Sequence, residues 1–524
     1  MAEPELKRLR PGAIVSLSLF VIYFVTLAPG VTYWDAGEFL AAMKSLGIPH
    51  PPGTPLFILV GNVWGRALAP ILGFARAVNL LSAVSTALAC GIFATLMFRW
   101  TRDSLSSISG GILAGLMSSV WLNANETEVY APALLMSALS ILVAEHARVR
   151  KESKWLVLLA YLFGLGWALQ LSALVAAPAA ILLALHAWRE MKIPVIAMVA
   201  AGAIGASAVL FMLVRAQHDP GVNQGNPATW QAFLDVITRK QYQPVSFFPR
   251  QAPWYIQIGN FFEYADWQVA LGLNPSPPPS IARTSFTIVF MIFGAIGFMW
   301  HRRTDILSWR VMTFLFVCAS LGVIAYLNMK ASPSYGDGFL PPGAKHEARE
   351  RDYFFALAFV CWGLWAGAGS VKAFQRLGAR WSLAGVGVAV LPAFLNFPAT
   401  ARSVGLDSVA PRDSAMRILK PAPKNAVIFA YGDNDTYPVW YMQQVENYRT
   451  DVTTVTIPLL PASWYRAELR RRYQLIDAEV VEPWRGWGPV LTSMCENARR
   501  LGRPVIAKQV KERPAIPQEC LALN

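Results

Sequence analysis

Long apolar runs separated by short polar segments dominate the chain. A helix needs roughly 20 mostly apolar residues to cross a bilayer core about 30 Å thick. Eleven stretches meet this requirement, some of them only just, and they predict a polytopic α-helical membrane protein. The predicted spans are 12–30, 77–98, 106–123, 132–148, 155–170, 172–188, 193–215, 284–300, 309–328, 353–371 and 381–399.

One further apolar stretch, 54–73, contains Asn62 and Arg66. Basic residues of short loops stay on the cytoplasmic side of a membrane. With eleven spans, the basic clusters of the loops all fall on the side of the N-terminus. Counting 54–73 as a span would move Arg99 and the next clusters outside. We therefore predict an interfacial or re-entrant helix at 54–73, a cytoplasmic N-terminus and an outer C-terminus.

Composition agrees with a membrane protein and excludes an ordinary soluble enzyme. Hydrophobic residues make up 55% of the 524 residues and charged residues 15%, against about 25% charged in soluble domains. The net charge of +14 lies mostly in short loops, so it indicates topology rather than nucleic-acid binding. No small-residue cleavage site follows the first span, so we expect it to remain as an anchor.

The last part of the chain has the pattern of a soluble α/β fold. Residues 426–431 and 452–457 are predicted strands, 432–436 a turn and 437–448 an amphipathic helix, which together form a βαβ unit. We therefore predict a transmembrane module at 1–399 followed by an extracytoplasmic α/β domain at 400–524.

The first outer loop, 31–76, carries the carboxylates predicted to be catalytic. Asp35 and Glu38 are three residues apart, so a helix beginning here places both on one face, close to the membrane surface. A general base at this position suits a lipid-borne substrate. The alternative is that Asp35 caps a helix over 36–47. His50 is flanked by prolines, and a purely structural role is its alternative.

Two further carboxylates, Asp433 and Asp435, follow the first predicted strand of the tail. Ligand sites in α/β sheets lie at the carboxyl ends of strands, so we assign both residues to substrate binding. The alternative is capping or turn formation. Cys495 and Cys520 share the tail, where a disulfide or two free thiols are the alternatives. No cofactor is firmly implied, and the sequence does not support a divalent metal.

Several sequence motifs, spread over nearly the whole chain, resemble those of a known protein family. They are 35–39 (Asp-Ala-Gly-Glu-Phe) with 50–56, 126–131, 349–354 and 432–438. These motifs resemble the DUF2723 family, which includes the TMEM260-type protein O-mannosyltransferases. One departure is Gln170, which stands where the family stretch often continues into a histidine.

The resemblance implies a GT-C glycosyltransferase. Such an enzyme transfers a sugar from a polyprenyl-phosphate carrier to an acceptor hydroxyl on the outer face of the membrane. An acidic residue of the first outer loop is the usual base, which assigns Asp35 to this role and Glu38 beside it. The eukaryotic branch implies mannose and a Ser or Thr of a protein, while the sugar and acceptor stay open, a glycan included. The short tail favours a bacterial inner-membrane protein with a periplasmic C-terminal domain.

The remaining assignments follow from what this chemistry needs. Arg349 and Arg351 are predicted to bind the donor phosphate, assisted by His50 or Lys345. The alternative for the arginines is pairing with neighbouring carboxylates in a solvated charged run.

A short outer loop supplies the last candidates, Glu126, Glu128 and Tyr130, as sugar-binding residues. Capping of the next span is the alternative for the two glutamates. Two rival functions remain, a transporter or lipid flippase and a non-catalytic scaffold. Transporters usually carry ionisable residues at mid-membrane and an internal repeat, neither of which is evident in the sequence.

Overall fold

The computed structural model describes residues 2–186, 190–242, 246–405 and 408–506. Contacts along the chain divide it into two compact units. The first, here called the membrane unit, comprises Met1–Leu27, Asn79–Ala208 and Val245–Ser403. The second, called the loop and tail unit, comprises Ala28–Val78, Val209–Pro244 and Val404–Asn524. The first outer loop and the C-terminal tail therefore belong to the same unit.

Helices lie over all eleven predicted spans. Among the described residues, seven helices are long and apolar enough to cross a membrane, or eight when a bent pair counts as one span. Shorter apolar helices cover the other predicted spans. The prediction of a polytopic helical membrane protein is confirmed. The helices over the predicted spans are Ala2–Thr26, Phe74–Thr101, Ser104–Leu116, Ser118–Ala124, Tyr130–Arg150, Lys154–Leu169, Ala177–Leu185, Val195–Ala206, Leu210–Ala216, Ile281–Thr304, Ile306–Val317, Val323–Leu327, Ala356–Gln375, Ser382–Val390 and Pro392–Leu395.

The span predicted over 106–123 is not one straight helix, and that prediction is corrected. Its two parts, Ser104–Leu116 and Ser118–Ala124, are bent by 70°. The backbone at Met117 is extended, with ψ 133°. The bend is held from outside, because the Ser118 amide donates to the Gln268 carbonyl oxygen at 2.9 Å. The Ser118 amide thus bonds to a carbonyl group outside its own helix, in place of the hydrogen bond that a continuous helix would have formed.

The stretch predicted as interfacial forms the helix Pro55–Leu72. This helix is itself one of the seven that meet the length and composition of a span. It belongs to the loop and tail unit, where Asn62 donates to the Met43 carbonyl oxygen at 2.6 Å. Its interfacial placement, and with it the predicted orientation of the chain, stays a prediction.

The tail contains the predicted βαβ unit. Strands Val427–Ala430 and Thr453–Thr456 pair in parallel, and Val505–Ile506 adds a third parallel strand on the other side of Val427–Ala430. The connecting helix is Asp433–Gln444, so the predicted turn over 432–436 is wrong beyond Gly432. Acidic side chains in a first helical turn are favourable beside the positive end of the helix dipole, which explains the early start.

Further helices of the loop and tail unit surround this sheet and the first outer loop. The Cys495 side chain is buried in the core of the tail, whereas Cys520 lies outside the described residues. The proposed domain boundary at residue 400 stays a prediction. The further helices are Ala36–Ser45, Trp230–Ile237, Ala410–Leu419, Ser463–Tyr473 and Trp487–Arg500, and the membrane unit also contains Trp254–Asp266 and Phe397–Thr400.

Candidate active site

Glu38 and Asp35 occupy different environments although they start the same helix. The Glu38 side chain is fully buried, whereas Asp35 is partly exposed. Asp35 occupies the N-cap position of Ala36–Ser45, but its side chain makes no capping hydrogen bond to the described helix. The capping alternative is therefore right about the position of Asp35 and wrong about a side-chain capping bond. Of the two predicted catalytic carboxylates, Asp35 is the accessible one.

Glu38 anchors the chain segment that follows its own helix. Its Oε2 atom lies 2.5 Å from His50 Nδ1, and its Oε1 accepts from the His50 backbone amide at 2.8 Å. The side-chain amide of Gln224 donates to the same Oε1. Burial raises the pKa of Glu38, and the contact with His50 acts in the opposite direction. Glu38 thus holds His50 in position. This contact agrees with the alternative of a purely structural role for His50.

The tail helix Asp433–Gln444 packs against the helix of the first loop. A Cβ atom on Gly37 would lie 2.5 Å from the Tyr437 carbonyl oxygen, so only glycine permits this approach. The Trp34 amide donates to Asn434 Oδ1 at 2.7 Å. Asn434 therefore joins the two segments rather than capping its own helix. The predicted residues of the loop and of the tail are brought together in one unit.

Negative charge gathers where these helices meet. Burial raises the pKa of Tyr437 well above its ordinary value. The negative charges of Glu38, Asp433 and Asp35 raise it further. Asp433 is exposed and Asp435 is partly buried, and both lie in the first turn of the helix after the first strand.

The membrane unit carries a second group of predicted residues around the Tyr353 hydroxyl. Arg351 Nη1 donates to this oxygen at 2.7 Å and Arg349 Nε at 3.0 Å. The Tyr130 ring packs on the Tyr353 ring with centroids 4.7 Å apart. Arg349, Arg351 and Tyr130, predicted separately from the sequence, are therefore neighbours. Lys345 is exposed on the loop that precedes them.

Several carboxylates lie close to this cationic group in the chain. Glu347 Oε2 lies 3.3 Å from Arg351 Nη2, so the predicted ion-pairing alternative holds for one pair. Glu350 instead accepts from the Tyr264 hydroxyl at 3.0 Å, and Asp352 accepts from the Ser119 hydroxyl at 2.5 Å. Two guanidinium groups converge on one oxygen, an arrangement that an added anion would stabilise.

Two glutamates of the second outer loop lie in the same unit. Glu126 Oε2 lies 3.8 Å from Arg402 Nε, and Glu128 is buried. The helix Tyr130–Arg150 has Val129 at its N-cap position, with no side-chain cap among the described residues. Val129, rather than either glutamate, is therefore the N-cap residue, and the capping alternative for Glu126 and Glu128 stays a prediction. Gln170 stands where the family stretch often has a histidine, and its Oε1 accepts from the Leu171 amide at 2.9 Å.

Sequence reasoning missed four residues that contact these groups or lie near them. Gln224 and Tyr264 come from segments without a recognisable motif, and Ser119 lies inside an apolar span. Glu263 is buried beside Ser332, whose hydroxyl donates to it at 3.2 Å. No group of three His, Cys, Asp or Glu side chains among the described residues is arranged to hold a metal ion.

Comparison with solved structures identifies the fold of the chain. The chain is similar to ArnT from Cupriavidus metallidurans bound to undecaprenyl phosphate, with a TM-score of 0.50 and 12% sequence identity. The match covers 86% of this chain and 91% of that one. The fold is therefore that of the polytopic GT-C glycosyltransferases, as predicted.

The chain is also similar in sequence to proteins of the type that the motifs indicated. The chain is 32% identical over 170 residues to the protein O-mannosyl-transferase TMEM260 of Mus musculus, covering 30% of this chain and 23% of that one. The Dictyostelium discoideum protein of the same description is 23% identical over 139 residues, covering 26% of this chain and 17% of the relative. The chain thus matches less than a quarter of each relative's length.

Family models extend the likeness to the tail. Residues 35–194 match the protein O-mannosyl-transferase TMEM260 N-terminal domain, and 411–481 match TMEM260-associated domain 2. These two regions contain Asp35, Glu38, His50, Glu126, Glu128, Tyr130, Asp433 and Asp435. The predicted resemblance to the TMEM260-type protein O-mannosyl-transferases is therefore confirmed over these two regions, whereas the wider DUF2723 assignment stays a prediction.

Proposed function

We propose that the chain is a membrane glycosyltransferase that transfers a sugar from a polyprenyl-phosphate carrier to an acceptor hydroxyl. Mannose and a Ser or Thr hydroxyl of a protein are the proposed sugar and acceptor, because the relatives are described as protein O-mannosyl-transferases. The observation that carries the proposal is the difference in environment between the two first-loop carboxylates. Glu38 is buried and bound on both oxygens, while Asp35 is partly exposed beside it.

Asp35 is the proposed general base. Its carboxylate takes the proton of the acceptor hydroxyl as the hydroxyl oxygen attacks the anomeric carbon. The bond from that carbon to the phosphate oxygen breaks, and the configuration inverts. The electron pair of this bond leaves with the polyprenyl phosphate, so no general acid is required. Glu38 acts as a positioning residue, because it fixes the loop that contains His50.

Arg349 and Arg351 are proposed to bind the donor phosphate. Both guanidinium groups already point at one oxygen, the Tyr353 hydroxyl, and Arg351 also pairs with Glu347. His50 and Lys345 are proposed as assisting cations. Tyr130, Glu126, Glu128, Asp433 and Asp435 are proposed to contact sugar or acceptor hydroxyls.

An apolar cavity of the membrane unit suits the polyprenyl chain. It has a volume of about 270 Å³ and is lined almost entirely by hydrophobic side chains. Phe359 and Trp362 contribute from the helix that begins just after Arg351, and Phe261 stacks on Phe359 with ring centroids 5.7 Å apart. We propose that the first isoprenoid units lie here while the phosphate lies at the arginines.

The test uses the purified full chain in nanodiscs with polyprenyl-phosphate mannose and a Ser/Thr-rich peptide. Asp35→Asn is expected to reduce turnover at least a hundredfold, since removing a general base typically costs that much. The matched control is Asp413→Asn, an exposed acidic residue of the tail. Free polyprenyl phosphate and glycosylated peptide are both quantified. Full activity of Asp35→Asn would refute the base assignment, and no release of polyprenyl phosphate by the unaltered chain would favour the transporter alternative.

A further inference from the structure

An open groove lies between the C-terminal ends of two helices of the membrane unit, Ile281–Thr304 and Ala356–Gln375. Its volume is about 680 Å³. One end is polar and basic, while the rest is apolar, so the groove is amphiphilic along its length. The lining side chains that matter here are Ile292, Ile296, Met299, Arg303, Lys372 and Arg376.

The apolar part of the groove follows one face of a single helix. Ile292, Ile296, Met299 and Arg303 are spaced by three or four residues, so they form one stripe. The stripe runs about 16 Å along the helix axis, at 1.5 Å per residue. It begins with three hydrophobic side chains and ends with a guanidinium group.

The two helices are locked together beside the groove, which gives it a fixed shape. A Cβ atom on Gly297 would lie 1.8 Å from the Trp365 carbonyl oxygen. One on Gly369 would lie 1.8 Å from the Phe293 carbonyl oxygen. The backbones therefore touch at these glycines, and the width of the groove does not depend on flexible side chains.

Two cations remain at the basic end after internal pairing. Lys372 is bound to Asp103 and lies 5.0 Å from the Trp300 ring centroid. Arg303 and Arg376 are exposed, and neither forms an ion pair with the residues that the structure describes. A phosphate group between these arginines would satisfy both, with geometry that guanidinium groups favour.

We propose that this groove binds an anionic diacyl phospholipid of the bilayer. The phosphate lies between Arg303 and Arg376, and one acyl chain lies on the stripe of Ile292, Ile296 and Met299. Basic pockets between membrane helices bind acidic lipid headgroups by the same physical principle. Arg351 precedes the opposite end of the helix Ala356–Gln375, about 30 Å away along its axis. The lipid site is therefore separate from the proposed donor site and does not depend on the proposed function.

The experiment measures lipid binding by the detergent-purified full chain. Thermal unfolding and native mass spectrometry are recorded with phosphatidylglycerol, phosphatidylcholine, polyprenyl phosphate or soluble glycerol phosphate. Phosphatidylglycerol is expected to raise Tm by several degrees and to remain bound, whereas phosphatidylcholine has little effect. The double variant Arg303→Gln and Arg376→Gln is expected to lose this response.

The matched control removes the same charge outside the groove. Arg302→Gln with Arg380→Gln alters two arginines that lie over Trp309 and Trp381, and it is expected to keep the response. A second variant, Met299→Trp, fills the apolar part and leaves both arginines, and it too is expected to lose binding.

Equal loss in the control and groove variants would overturn the proposal, because it would indicate a general effect of charge. Unchanged binding by Met299→Trp would exclude the acyl-chain contact. Stabilisation by glycerol phosphate alone would show an adventitious anion site. Stronger stabilisation by polyprenyl phosphate than by phosphatidylglycerol would assign the groove to the carrier lipid instead.

Discussion

The buried Glu38 carboxylate contacts the partly exposed His50 imidazole, with Oε2 2.5 Å from Nδ1. The same carboxylate also binds the His50 backbone amide, so one side chain fixes both the ring and the chain of the proline-flanked loop. Asp35, three residues earlier, is left accessible. The two carboxylates predicted from their spacing therefore differ in environment, which suits Asp35 as the candidate base and Glu38 as a positioning residue.

Glu38→Ala is the first prediction. It leaves the His50 amide, the His50 ring and Gln224 without their common acceptor in a buried site. Removing one partner from such a buried pair costs about 3 kcal/mol of stability. The expected result is a markedly lower Tm of the purified protein. The comparison is Glu446→Ala, which breaks the more exposed pair with Arg412 and is expected to cost less than about 1 kcal/mol. Equal Tm values for the two variants would contradict this prediction.

Gly37→Ala tests the packing of the first loop against the tail. The added methyl group would lie 2.5 Å from the Tyr437 carbonyl oxygen, so the two helices must move apart. Overpacking of this kind costs about 1–3 kcal/mol, and we expect Tm to fall. Gly432→Ala is the control, because a Cβ atom there meets nothing within 4 Å among the described residues. A Gly37→Ala protein as stable as the unaltered chain would show that the helices are not in close contact.

Tyr353→Phe tests the arginine pair without removing either charge. The hydroxyl that accepts from both Arg349 and Arg351 is lost, so the guanidinium groups are no longer aligned. A hydrogen bond to a charged group contributes about 1.5–3 kcal/mol, and we expect the donor KM to rise about tenfold or more with a smaller change in kcat. The control is Tyr255→Phe, which alters an exposed tyrosine. A fall in kcat at constant donor KM would argue against donor binding at this position.

The fold class and most helices followed from the sequence, because long apolar runs report membrane spans directly. The βαβ unit followed too, since its strands are short, β-branched runs. The bend at Met117 did not follow, because the carbonyl that stabilises it belongs to Gln268, about 150 residues away in the chain. Local patterns carry no information about such a distant partner.

The candidate site was predictable residue by residue but not in its arrangement. Motifs indicated Asp35, Arg351 and Tyr130, yet the contact that joins Tyr130 to the arginines passes through Tyr353, which was not assigned a role. Burial likewise distinguishes Glu38 from Asp35, which spacing alone treats as equal. The pKa values of carboxyl groups could not be predicted from the sequence either, because they depend on which charged groups the fold buries close together.

Glu263 shows this dependence and gives the last prediction. Burial, and then the negative charge of Glu350, raises the pKa of Glu263 from 4.5 to about 7. A carboxyl group whose pKa is raised in the folded state binds its proton more tightly there than in the unfolded chain. The folded protein is therefore favoured at low pH, and this contribution is lost as pH rises from about 4.5 to about 7.

Glu263→Gln removes the free-energy cost of ionising this buried carboxyl group and keeps a hydrogen-bond partner for the Ser332 hydroxyl. The variant is expected to match the unaltered protein near pH 5 and to exceed its stability at pH 8. The difference is at most about 3 kcal/mol, since one pKa unit corresponds to about 1.4 kcal/mol. Thermal unfolding at pH 5, 6, 7 and 8 measures it, with Glu446→Gln as the control. Parallel Tm curves for the variant and the unaltered chain across this range would mean that Glu263 is ionised in the folded protein at all four pH values, and the shared burial with Glu350 would then have no energetic consequence.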